Sequence, residues 1–418
     1  MTSDHSHQPR KLFYGWRVLA AAAIMRVLGG GFHVFGFSIF FLPLLRDLGL
    51  SRAAGSLVFS LARAEGAVEG PVVGYLLDRF GPRLIMSIGI LIVAAGYLLL
   101  STVNSYLSLL LVYLGLISIA YGSTFMHSPI VLANNWFDYR RAFAMSIISA
   151  SVAVGGAVLT PLLALVVHSQ GWRFGAVMIG VIFLVIGFPL TRLIRNNPES
   201  LGQAPFHQGA GAGTTGKTTP HNTSDSSARD FSVRRGMRTS AFWILTVGTL
   251  LRLAGFSTVM VHFVPILVWK GLDEPAAAYY LSLLALLGIP THIFMGWLGD
   301  RWSRPRVMSL GMASGTVGLI ILLYGEGLML FLFLLLFVAV EAIFSVTWAT
   351  LGDFFGRRRF ATLRGFVIMF TMVGPIIGPV YAGRVYDVAQ SYTLPLQFSI
   401  IGFALSSLAF WLVRRPEA

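Results

Sequence analysis

Gly74, Tyr75, Leu76, Leu77, Asp78, Arg79, Phe80, Gly81, Pro82, Arg83 returns 222 residues later as Gly296, Trp297, Leu298, Gly299, Asp300, Arg301, Trp302, Ser303, Arg304, Pro305, Arg306. Each copy follows one apolar, helix-length segment and precedes another, so each lies where two helices meet water. A glycine four residues before an Asp-Arg pair lets neighbouring helices approach closely and offers charge to a helix terminus across the gap. A long apolar chain that repeats such a turn is built by doubling.

Composition places the chain in lipid. Apolar residues make up 56% and charged residues only 11%, against about 25% charged in an average soluble domain. A soluble chain of this length and composition would expose large apolar patches. The net charge of +14 does not indicate nucleic acid, because Lys and Arg cluster between apolar segments and form no basic face with interleaved aromatics. There is no cysteine, which excludes disulfides and thiolate chemistry. No short apolar run with a small-residue cleavage site opens the chain, so no removable signal peptide is expected and the first span serves as its own insertion signal. No nucleophile motif, metal-ligand spacing or phosphate-cradling loop is found. No enzyme, cofactor or metal site is expected.

Spans of about 20 apolar residues cross a bilayer core, and twelve are drawn: 16–45, 52–77, 84–103, 106–132, 142–167, 172–194, 241–269, 277–299, 306–325, 328–352, 361–385 and 394–413. Residues 195–238, rich in Gly, Ser, Thr, Pro, Asn and charge, cannot bury enough surface to order themselves. They read as a flexible linker between a first half, 1–194, and a second, 239–418. Lys and Arg number about 22 in the termini, linker and even-numbered loops, against about 5 in the odd-numbered loops. Both termini and the linker are therefore expected in the cytoplasm, and the sequon at Asn222 unglycosylated. The halves align with a drifting offset: Arg26 with Arg252 at 226, Phe137 to Arg141 with Phe355 to Arg359 at 218, and Pro161 with Pro379 at 218.

The repeated turn resembles the loop between the second and third helices of the major facilitator superfamily. That resemblance implies an all-α membrane fold, two pseudo-symmetric six-helix bundles about an axis along the membrane normal, with the spans carrying Arg26 and Arg252 lining a central cavity. Tyr14, Gly15, Trp16, then Asn135, Trp136, Phe137 through Arg140, Arg141, Ala142, then Gly374, Pro375 through Ala382, Gly383, Tyr386, Asp387 and Ser391, Tyr392 resemble the monocarboxylate-transporter group and its bacterial relatives. This implies lactate-like anions moving with protons, as symport, and a multi-pass protein of the bacterial inner membrane acting as a monomer. Several members use an Asp and Arg pair in the eighth span. Residues 277–299 contain neither and offer Tyr279, Tyr280, Thr291 and His292.

Ionisable residues at mid-span are costly, and each is a functional hypothesis with a partner to name. At about 1.5 Å per residue, Arg26 lies roughly 15 Å from Trp16 and Arg252 roughly 14 Å from Trp243, one at the midplane from each half. Their planar forks suit a carboxylate, and together they read either as an anion clamp or as ion-pair members of their own halves. Glu65 and Glu69 share one helical face, as do Arg26 and His33. Antiparallel packing would set Arg26 level with Glu69 and His33 beside Glu65. This ladder is either a proton relay or a structural lock. Glu341 is the acid available to balance Arg252, as proton carrier or counter-ion. Tyr121, His127 and His292 are candidate donors to a bound carboxylate, or interhelical packing. Arg364 is expected to snorkel to the edge, and Arg63 has no assigned role. With Arg364 set aside, three arginines balance three glutamates. Gly74, Asp78, Arg79, Arg83, Gly296, Asp300, Arg301 and Arg306 are expected to gate the halves.

The expected function is carriage of a small organic anion with a proton across the bilayer. A proton-driven exporter of amphipathic compounds, an organic-anion exchanger and a membrane ligand sensor are the other readings.

Overall fold

A computed structural model describes residues 13–50, 52–204 and 231–416; the sequon at Asn222, most of the linker and the side chain of Arg63 lie outside the described residues. The described chain is almost wholly helical, as a chain surrounded by lipid must be to satisfy its own amides. Eleven helices among the described residues are long and apolar enough to cross a membrane. The twelfth, Arg52–Phe80, has the length and carries Glu65 and Glu69.

Local signals fix where these helices start. Gly81 takes φ 81° ahead of Pro82, which opens Pro82–Leu100 at a position where its missing amide costs nothing. Ser105 and Ser108 form a reciprocal cap on the fourth span, Thr239 caps Ser240–Val261 and Asp273 caps Glu274–Arg301.

Several spans are not uniform α-helix. The first runs as Tyr14–Gly29, a π-helical turn Gly30–Phe35, then Gly36–Asp47. The fourth contains two π-helical turns, Tyr113–Ser118 and Gly122–His127. The seventh breaks at His262, between Ser240–Val261 and Phe263–Trp269, and the eleventh at Met372, between Phe360–Thr371 and Val373–Ala389. The seventh-span break is pinned: His262 bonds the Tyr392 hydroxyl at 3.1 Å and the Pro379 carbonyl at 3.0 Å.

The two six-helix bundles meet along pseudo-equivalent seams. Span two packs on the first part of span eleven, and span eight on span five, with span ten also against span five. Glycine sets the closeness: a Cβ on Gly70 would lie 2.9 Å from the Gly365 carbonyl oxygen. These contacts gather at the end of the molecule that bears the charged turns. Val373–Ala389, the part of span eleven toward the opposite end, packs mainly against span seven, whereas Phe360–Thr371 packs mainly against span two. The molecule is therefore closed at the charged-turn end.

Candidate functional site

Asp78, one turn after Gly74, accepts the backbone amides of Ala361 at 3.2 Å and Thr362 at 2.9 Å, and the Thr362 hydroxyl. Asp300 accepts those of Ala142 at 3.0 Å and Phe143 at 2.8 Å. Each carboxylate thus caps the helix that starts in the other half, where orphan amides and the positive end of the helix dipole favour an anion. Gly74 faces the backbone of Ala361 and Thr362, and Gly296 faces Ser146 and Ala142. A side chain at either glycine would hold the seam apart.

The other expected gating residues do not cross the seam. Arg79 donates to the Tyr75 hydroxyl of its own helix at 2.8 Å, and Arg83 meets Asn196 only through its backbone amide. Arg301 lies over Trp297 and Arg306 over Trp411, both within the second half. A charge that does cross is Arg141, bound to Asp138 of its own half and to Asp353 of the other at 2.6 Å each, while Arg304 holds Asp300 at 2.8 Å and Asp353 from within their own half.

Deeper in, Arg26, Arg252, Arg364 and His127 are all buried. Arg364 does not snorkel: it is 1% exposed. Its Nη1 meets His127 Nδ1 at 2.8 Å, its guanidinium lies 4.6 Å over the Trp348 ring, and its Nε and Nη2 have no partner. Its place one turn into span eleven would be exposed if that end were open; closure of the two halves buries it.

Arg26 donates to the Phe125 carbonyl at 2.9 Å, inside the second π turn of span four, and its Nε is unpartnered. The expected ladder is not formed. Glu69 lies 3.8 Å from His127 Nε2 instead, in space left by Gly122, whose Cβ would fall on that carboxylate. His33 bonds the Tyr97 hydroxyl at 3.1 Å and stacks on Tyr121, ring centroids 4.0 Å apart. The reason is the π turn after Gly29: with more than four residues per turn, positions seven apart no longer share a face. Glu65 bonds Ser118, and its charge is felt at Glu69.

Arg252 belongs to a different cluster. It donates to the Val340 carbonyl at 3.1 Å and lies 5.9 Å over the Phe344 ring. Its charged neighbour is the exposed Glu341, and it also faces buried His292, whose Nδ1 lacks a partner. Phe344 meets Trp348 edge to face at 5.7 Å, and the Trp348 indole nitrogen is buried without an acceptor. Span ten therefore places two aromatic rings between Arg252 and Arg364. Arg26 has Arg364 as its charged neighbour from the other half.

Buried guanidiniums facing carbonyls, the histidines His127 and His292, and the nearby carboxylates Glu65, Glu69 and Glu341 bring polar groups from both halves inside an apolar shell. The major facilitator superfamily model matches residues 23–294 and again 248–418. The chain belongs to the major facilitator superfamily. It is a transporter by family and not an enzyme. Within this superfamily it is related to the monocarboxylate transporters. Monocarboxylate transporter 4 of Gallus gallus is 25% identical over 95% of this chain and 81% of its own length, and monocarboxylate transporter 13 of Bos taurus 26% over 91% and 84%. The oxalate:formate antiporter of Oxalobacter formigenes is 23% identical over 96% and 93%. A crystal structure of the superfamily transporter FucP in the outward conformation shares the fold with TM-score 0.73 at 15% identity, covering 95% of this chain and 99% of that one.

Arg364, Trp348, Asp353, Arg141 and Arg304 escaped assignment from sequence. A signal was available for two of them: Arg141 ends one of the duplicated tracts, and Arg304 lies in the second copy of the repeated turn.

Proposed function

We propose that this superfamily member is a secondary active transporter that carries a small monocarboxylate together with a proton by alternating access. The observation that supports it most is the pair of buried guanidiniums, Arg26 from one half and Arg364 from the other, with unpartnered N–H groups beside the His127–Glu69 contact. Unsatisfied donors of a buried arginine are costly, and a carboxylate between the two would satisfy them with charge-assisted bonds. The clamp across the axis is then Arg26 with Arg364, and Arg252 with Glu341 and His292 forms a second polar wall. Among the described side chains of these two clusters Arg26, Arg252 and Arg364 balance Glu65, Glu69 and Glu341, so an anion entering with a proton leaves the sum unchanged. The names of its relatives, monocarboxylate transporters, agree with this substrate class.

The halves are read as residues 1–194 and 239–418, joined by the linker 195–238, with both termini and the charged turns in the cytoplasm of a bacterial cell and the monomer as the working unit. Closure at the charged-turn end then corresponds to an outward-facing carrier. Uptake of a panel of labelled monocarboxylates into proteoliposomes, with and without an inward proton gradient, tests the reading. Accumulation only with the gradient is expected; equal accumulation without it overturns proton symport. Exchange is the second reading, favoured by the similarity to the oxalate:formate antiporter, and stimulation by internal anion in the same vesicles would establish it.

A further inference from the structure

His127 is in hydrogen-bond contact with Arg364 across the two halves, Nδ1 to Nη1 at 2.8 Å. A guanidinium has donors and no acceptor. Nδ1 is therefore the acceptor, and the neutral ring carries its hydrogen on Nε2, which faces Glu69 Oε1 at 3.8 Å. The bond joins span four of one half to span eleven of the other, and leaves Nε and Nη2 of Arg364 without a partner.

We propose that His127 is the element that couples the proton both to the anion site and to the closure of the two halves. A proton added to the Nδ1 lone pair turns that acceptor into a donor facing a donor. The bond to Arg364 breaks, the guanidinium is released toward the anion, and the contact between the halves at this depth is lost. Nothing else is transferred: Arg364 keeps its protons, and the Glu69 carboxylate supplies the counter-charge for the imidazolium. The inference rests on the reading of the chain as a proton-coupled anion carrier.

The surroundings set the sign of the coupling. Glu69 faces the ring from span two, with Glu65 one turn away; Arg26 faces it from span one and Arg364 from span eleven. Tyr121 lies on its own span beside Arg26. Span three, packed against this segment, carries one charged side chain, Arg83, at the charged-turn end. Two cations oppose a proton on His127 and one carboxylate favours it. An anion held by the two arginines offsets their repulsion, so anion and proton each promote binding of the other by the same factor.

The test needs no knowledge of the anion. The chain has no cysteine, and Ser149 and Ser345 face each other across the halves, hydroxyl to hydroxyl at 3.1 Å. Ser149→Cys with Ser345→Cys would be oxidised by copper phenanthroline in liposomes at about pH 8 and about pH 5.5, either side of the ordinary histidine range. The same pair would be followed in a His127→Gln background. Glutamine can accept from Arg364 but takes no proton, and comparing the two backgrounds cancels the thiols' own pH dependence. The expected result is equal rates at the higher pH. At the lower pH, cross-linking should be about tenfold slower with the native histidine than in the His127→Gln background, within the usual range of coupling between sites. A ratio that does not change with pH overturns the proposal. Efficient cross-linking of His127→Gln at the higher pH shows that it is folded; His127→Asn takes its place if it is not. Uptake of labelled lactate in the same liposomes separates the two readings. Proton-driven uptake with a constant ratio sinks the switch and spares the carrier, while a pH-dependent ratio with no anion uptake or exchange for any member of the panel supports the coupling of His127 to closure and sinks the carrier together with the coupling to an anion.

Discussion

Asp78→Asn should shift the molecule away from closure at the charged-turn end. The native carboxylate accepts two backbone amides and one hydroxyl at the start of span eleven, at 2.9 Å for the best-placed amide. Asparagine keeps one acceptor oxygen, loses the charge, and points an NH2 at amides that are themselves donors. A carboxylate at a partly buried helix N-terminus contributes about 0.3–2 kcal/mol, and a charge-assisted bond exceeds a neutral one by about 1 kcal/mol. A loss of about 1–2 kcal/mol follows, which is about a 5- to 30-fold change in the ratio of open to closed. Spin labels at Leu84 and Trp302, exposed positions beside the two charged turns, would report it by pulsed electron-electron distances, since no native cysteine interferes. A second, longer distance should gain population in the variant, and turnover should change while apparent affinity changes little. Asp300→Asn should act in the same direction and more strongly, because it also releases Arg304. Distance distributions identical to wild type, in a variant that melts at the wild-type temperature, would refute the cross-capping argument.

Other substitutions probe the interior. Arg364→Lys keeps the charge but replaces a fork by a point, and anion binding measured by calorimetry should weaken at least about tenfold, the loss of one good charge-assisted bond. Trp348→Phe removes a buried N–H that has no acceptor; the empty protein should melt higher, since an unsatisfied donor costs about 1–3 kcal/mol, while anion affinity falls if the indole donates to the substrate. Gly122→Ala puts a methyl on the Glu69 carboxylate, and proton-driven accumulation should be lost with the fold, monitored by melting temperature, largely kept. Glu199→Gln loosens the exposed pair with Arg357, and the melting temperature should scarcely move, as such pairs contribute about 0–1 kcal/mol.

The architecture was legible because it rests on properties each span carries by itself: length, apolarity, and the repeated Asp-Arg turns. Depth was legible for Arg26 and Arg252, which a rise per residue places at mid-span. What failed was the assignment of partners. The Arg26 and His33 pairing assumed an unbroken α-helix, and the π turn Gly30–Phe35 changed the face. Arg364 failed for another reason. Its burial is a property of two closed halves, and no count along one helix contains it. His127 showed no acidic neighbour in sequence, and found one only because a glycine in span four makes room for a side chain from span two.

The two cross-caps have a consequence for ancestry. Each six-helix half carries one Asp-bearing turn and one helix start shaped to receive such a turn, so a half is complementary to a second copy of itself. Two identical halves would recognise each other through two equal contacts related by a twofold axis, the arrangement of an isologous dimer. Fusion through a polar connector then needed no new interface. It freed the copies to diverge, as where Asn135 in one repeat stands opposite Asp353 in the other. Asp353 holds Arg141 and Arg304, whereas Asn135 holds the start of the connector through Asn196 and Asn197. One ancestral position has thus become a bolt on one side and a tether on the other.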